Sequence, residues 1–199
     1  MCAKKIKMPS KCDLKHRTSS ISNAFAQAVT PYVKPTDDEI NSMLDELGIE
    51  ENQCAYCLAK VEQVQMDHLH PLVSNKMPTG HITHISNLVP SCGSCNGSKG
   101  NKEFVEWYDD PKTKAYLKKA KLSEDQIKER RDVILEYSKK SVSYGEGYET
   151  VLSEEEIQEY IQKRDAINNA LIDAQDWFDE IKKKIESRLK ANGGSLKTH

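Results

Sequence analysis

Cys54-Ala-Tyr-Cys57 and Cys92-Gly-Ser-Cys95 are two Cys-x-x-Cys pairs separated by 34 residues in a chain of 199. A single pair is compatible with a redox dithiol. Two copies flanking one short segment match the ligand spacing of a tetrahedral zinc site. Four thiolates fill all four positions and leave none for water, so this metal is expected to hold the fold and leave chemistry to other residues. Around the pairs, short runs broken by Gly, Pro, Ser and Asn replace helical periodicity, with strand-like pieces at 60–66 and 87–90.

Between the pairs stands Asp67-His68-Leu69-His70-Pro71-Leu72, and overlapping the second pair is Asn87-Leu-Val-Pro-Ser-Cys-Gly-Ser-Cys-Asn96-Gly-Ser-Lys99-Gly-Asn-Lys102. Adjacent Asp and His at a strand end supply a carboxylate for a hard cation and an imidazole that exchanges a proton near neutral pH. Asn96 falls where a helix is expected to begin, so its side-chain oxygen can complete a cation site. The first-turn amides and Lys99 are expected to face phosphate. The plain alternative for Asp67 and His68 is a hydrogen-bonded pair that only stabilises the finger.

These residues resemble the HNH endonucleases of the ββα-metal (His-Me finger) superfamily, in the subgroup with a four-cysteine zinc site, over roughly residues 54–102. The resemblance implies roles residue by residue. His68 would be the general base that activates water. Asp67 and Asn96 would be the protein ligands of one catalytic Mg²⁺ or Mn²⁺. Asn87 would be a brace that fixes the loop and orients the His68 ring through the backbone. Cys54, Cys57, Cys92 and Cys95 would hold structural Zn²⁺, and Lys99 and Lys102 would meet DNA. Cleavage would leave 5'-phosphate and 3'-hydroxyl ends. Two features depart from the family pattern: Asn96 stands where a His is common, which suits a hard cation, and the segment 73–86 is longer than in compact members. His70, His81 and His84, in and beside that segment, read as surface or structural histidines, with phosphate contact or an auxiliary metal ligand as the alternative.

Outward from this segment the chain is helical. Thr36 followed by three acids caps a helix whose Ile40, Met43, Leu44 and Leu47 share one face until Gly48. Helices return at 104–108, where Trp107 and Tyr108 read as core, and from Ser123 to about 139. A long helix from 153 to about 191 carries apolar residues alternating by three and four, interrupted by Arg164, a seam that asks for a partner helix in the same chain or in a second copy. The fold class is therefore α+β: a zinc-stapled ββα-metal finger embedded in a mainly helical chain. The expected organisation is a basic arm over 1–35, a nuclease core over 36–110 and a helical region over 111–199.

Net charge is −2, but residues 1–35 carry +6, 36–60 carry −6, 99–131 carry +3 and 146–190 carry −5. Such segregation is compatible with a basic binding face, and equally with solvated surface. No apolar run is long enough to span a membrane and no secretory h-region follows the basic start, so a cytoplasmic protein is expected, with Cys2 and Cys12 as free thiols. DNA is the expected partner, with a homodimer or a helix-mediated protein partner possible. The biological role expected is bacterial or phage defence of the restriction type. The alternatives are a nuclease subunit active only with a partner such as an ATPase, and a zinc-stapled DNA-binding module without catalysis.

Overall fold

Thr36 begins the helical framework by a reciprocal cap: its hydroxyl accepts from the Glu39 amide while Glu39 accepts from the Thr36 amide. Helix α2, Asp37–Leu47, ends where Gly48 takes a left-handed conformation at φ 60°. A computed structural model describes residues 13–145 and 147–191; Cys2 and Cys12 lie outside the described residues. Helix α1, Thr18–Val29, precedes α2, so described residues 18–29 of the expected arm are helical.

Strand β1, Gln65–His68, follows the first cysteine pair, and its antiparallel partner β4, Leu88–Ser91, precedes the second, with Asp67 opposite Val89 and His68 opposite Leu88. Strand β1 is shorter than the stretch 60–66 suggests, because residues 60–64 make no ladder and only a bridge joins Gln53 to Lys60. Helix α3, Gly93–Lys99, completes a ββα unit. The insertion between β1 and β4 holds a two-residue hairpin of β2, Val73–Ser74, and β3, Met77–Pro78. Its turn residues Asn75 and Lys76 both have positive φ, 50° and 67°, the twist that joins two antiparallel strands tightly.

Helices α4, Phe104–Asp109, α5, Pro111–Lys119, and α6, Glu124–Ser138, pack on the finger. Their buried Phe104, Trp107, Tyr108, Leu117, Ile127 and Ile134 join Met43, Leu47, Tyr56, Leu69, Val89 and the four cysteines in one core. Part of the basic stretch 99–131 is structural. Arg130 is buried and donates to the Leu47 carbonyl at 2.6 Å and the Ala55 carbonyl at 3.1 Å. Arg131 clasps Asp109 through three hydrogen bonds of 2.7 to 2.9 Å.

Packing divides the chain into two units, residues 25–154 and residues 1–24 with 155–199. The second unit contains most of helix α7, Glu154–Ala191, which is helical throughout the described part of the stretch its periodicity marks. Polar contacts tie it to the N-terminal segment: the Leu14 amide donates to Gln175 at 2.8 Å and Lys15 pairs with Asp176 at 2.7 Å. Arg164, Asn168 and Gln175 are buried, whereas Ile167, Trp177, Phe178 and Ile185 of α7 stay exposed. No described helix is long and apolar enough to cross a membrane.

Candidate functional site

The sulfur atoms of Cys54, Cys57, Cys92 and Cys95 lie within 4.8 Å of one another, all four buried, with Cys57 Sγ 3.9 Å from Cys92 Sγ. A tetrahedron of sulfurs at the usual zinc–sulfur distance has edges of about 3.8 Å, so the donor set and its spacing fit Zn²⁺. The first knuckle closes through Leu58, which adopts φ 58° and donates its amide to the Cys54 carbonyl at 2.9 Å. The second leads directly into α3: Cys92 is its N-cap and its sulfur accepts from the Cys95 amide at 3.4 Å. This corrects the expectation for the helix start. The cap belongs to the knuckle, and Asn96 sits one turn into the helix instead of at its beginning.

Asp67, His68 and Asn96 converge on one cleft of about 220 Å³. Pairing β1 with β4 sets Asp67 and His68 at the strand end, and α3 brings Asn96 beside them. The Asn96 amide nitrogen donates to Gln65 Oε1 at 3.0 Å, which leaves its oxygen as the end available to a cation. Asp67 is buried: Tyr56 donates to its Oδ2 at 2.6 Å, and Lys99 Nζ stands 3.6 Å from the same oxygen. Burial pushes the Asp67 carboxyl above its ordinary range, with the Lys99 charge and the Tyr56 hydroxyl pulling it back. A carboxylate has about four lone-pair sites. A carboxylate and an amide oxygen form a hard donor set that fits Mg²⁺ or Mn²⁺.

Lys99 does not face outward as expected. Its side chain is fully enclosed, and Nζ donates to the His68 carbonyl at 2.5 Å while lying beside Asp67. The α3 register places position 99 under β1, and burial lowers its pKa, with Asp67 raising it again. Lys102 is exposed, three residues further on.

His68 Nε2 lies 3.0 Å from Thr83 Oγ1. Burial, with the Lys99 charge second, pushes the imidazole down to about 4, so the ring is neutral at physiological pH. Asn87 has no exposed surface. Its oxygen accepts from the His70 amide at 2.8 Å, and its nitrogen donates to the carbonyls of His70 and Ile82 at 3.1 and 3.2 Å. It therefore ties the strand end to the insertion. Thr83 is strapped in turn to residues 31–33: the Val33 amide donates to its carbonyl at 2.8 Å and its own amide donates to the Pro31 carbonyl at 3.1 Å.

Tyr56 and Thr83 escape a reading of the sequence. Tyr56 lies between two metal-spaced cysteines, a position that looks like knuckle filler, and Thr83 lies inside the extra segment. His84 is structural: its Nδ1 accepts from the Ser86 amide at 3.3 Å and so caps the short turn Ile85–Asn87. His70 and His81 stack at 4.4 Å, with His70 Nδ1 2.8 Å from Glu103 Oε2. That hydrogen bond, more than any charge, raises the His70 pKa, while burial lowers that of His81.

The family model for HNH endonuclease matches residues 54–102. An SPbeta prophage-derived protein of Bacillus subtilis (strain 168), YoqL, which is named as an HNH endonuclease, is 35% identical over 63 residues, 29% of this chain and 27% of that protein. The chain thus spans about a quarter of that relative's length. A crystal structure of the Type II-C Cas9 enzyme from Actinomyces naeslundii aligns over 65% of this chain and 16% of that chain, at 17% identity and a TM-score of 0.29. With the paired knuckles, the ββα unit and the Asp67-His68, Asn87 and Asn96 positions in order, residues 54–102 form a domain of the HNH endonuclease family.

Proposed function

We propose that this chain is a metal-dependent DNA endonuclease, and the observation that carries the reading is the convergence of Asp67, His68 and Asn96 on one cleft beside a fully buried Asn87. His68 is neutral and held at Nε2 by Thr83. With its Nε2–H donated to the Thr83 hydroxyl, Nδ1 carries the lone pair that takes a proton from water as that water attacks phosphorus. Lys99 and Asn87 fix the backbone that follows the ring, at the His68 carbonyl and the His70 amide, so the base is positioned before substrate arrives. Asp67 and Asn96 would hold one divalent cation. Such an ion supplies positive charge to the scissile phosphate and the departing 3'-oxygen. The products are then 5'-phosphate and 3'-hydroxyl ends. A role in bacterial or phage defence is compatible with this domain.

The test is cleavage of supercoiled plasmid with Mg²⁺ or Mn²⁺ by wild type and by His68→Ala at equal zinc content. Removing a general base lowers the rate by about 10²–10⁴-fold. The nicked products should rejoin with DNA ligase without prior phosphorylation. Undiminished cleavage by His68→Ala, or none by zinc-loaded wild type, would overturn the proposal.

A further inference from the structure

Beside the strand end, away from the knuckles, one ring nitrogen of His70, one of His81 and a carboxylate oxygen of Glu103 lie within 4.8 Å of one another. They come from three separate places: His70 follows β1, His81 lies in the insertion, and Glu103 is the N-cap residue of α4, where its side chain makes no capping hydrogen bond. Glu103 is thus free of the role its position suggests and turns toward His70, its Oε2 2.8 Å from Nδ1. His81 Nδ1 is buried without any hydrogen-bond partner. A buried imidazole nitrogen with no partner has lost its solvation with nothing in return, so such an atom asks for a ligand.

We propose that His70, His81 and Glu103 form a second metal site, one for a borderline divalent ion such as Zn²⁺, separate from the four-cysteine site and from the Asp67–Asn96 cleft. Two imidazoles and a carboxylate are a donor set that zinc accepts, with room for water as a fourth ligand. Donor atoms around a tetrahedral zinc stand about 3.3 Å apart at the usual bond lengths. The present spread closes to that by a shift of roughly 1.5 Å at most, within reach of turning the histidine rings about their broad terminal torsion. Bound there, the ion would pin the insertion to α4 two residues from Thr83, which holds His68.

The test counts metal on the full chain, stripped and then dialysed against Zn²⁺ in excess Mg²⁺, which occupies the oxygen-donor cleft. Wild type should hold two zinc ions per chain, and His81→Ala and Glu103→Gln one each. Asp67→Asn should keep two, which separates this site from the proposed catalytic cation. Glu103→Gln changes an exposed side chain with no capping bond, so its folding is secure if His81→Ala proves unstable. One zinc per chain in wild type, or two in Glu103→Gln, would overturn the proposal whatever the cleavage assay shows.

Discussion

Tyr56→Phe removes a single oxygen from the interior and tests whether the first zinc knuckle supports Asp67. The aromatic ring remains, stacked on Phe104 at 5.9 Å and edge-on to Trp107 at 4.9 Å, so the substitution opens no sizeable cavity. What is lost is the 2.6 Å hydrogen bond to Asp67 Oδ2. Hydrogen bonds to charged groups contribute about 1.5–3 kcal/mol. Asp67 is only 6% exposed, so water does not replace the hydroxyl, and Lys99 at 3.6 Å remains its other partner at that oxygen. A loss near the upper half of that range, about 2.5 kcal/mol, raises the unfolded fraction about sixty-fold. It lowers the melting temperature by roughly 5–10 °C. The measurement is urea and thermal unfolding of zinc-loaded protein without Mg²⁺, repeated in an Asp67→Asn background. There the hydroxyl meets a neutral amide and its removal should cost only about 1 kcal/mol. The difference, a coupling of about 1.5 kcal/mol, is the signature of the contact. Equal destabilisation in both backgrounds would refute the reasoning.

Two further outcomes follow from the geometry. Gly80 has φ +93°, and a Cβ there would lie 2.7 Å from the Gly145 carbonyl oxygen, so Gly80→Ala should cost at least about 2 kcal/mol and lower the denaturation midpoint; an unchanged midpoint would show that this strap bears no load. The hydrogen bonds of Arg131 hold the Asp109 carboxyl below its ordinary range, so the pair's stabilisation is present above the unfolded carboxyl pKa of about 3.9 and is lost as pH falls through the lower folded value. Asp109 and Arg131 are 34% and 29% exposed, so the pair is worth no more than about 1 kcal/mol. Unfolding curves of Arg131→Ala and wild type should therefore differ at pH 6 and converge toward about pH 3, and a difference unchanged with pH would count against the pair.

Local rules account for much of this fold. The Thr36 cap, the Gly48 stop and the three-and-four spacing of α7 act within one or two turns, so α2 and α7 form where a reading of residues places them. The cysteine pairs are legible for a similar reason: ligand chemistry restricts their spacing, and the site needs no knowledge of what lies between. Strand β1 is less legible, because a strand exists only where a partner ladder exists, and β4 pairs with residues 65–68 alone.

The candidate site divides in the same way. Asp67, His68, Asn87 and Asn96 announce themselves as residue types in order, and the meeting of Asp67, His68 and Asn96 at one cleft, with Asn87 buried behind it, follows from pairing β1 with β4 and docking α3 beside them. The direction of each side chain is a tertiary matter. Lys99 is turned inward because its helix register sets it under β1, whereas its composition suggests a solvent-facing phosphate contact. Tyr56 touches Asp67 across 11 residues, Thr83 touches His68 across 15, and Glu103 touches His70 across 33. Sequence alone therefore determined the ligand types, the caps, the length of α2 and the start of α7, since these depend on neighbours along the chain. Only the tertiary structure decided which polar groups satisfy one another in the interior, because a buried donor or acceptor takes its partner from whatever the folded chain brings within about 3 Å.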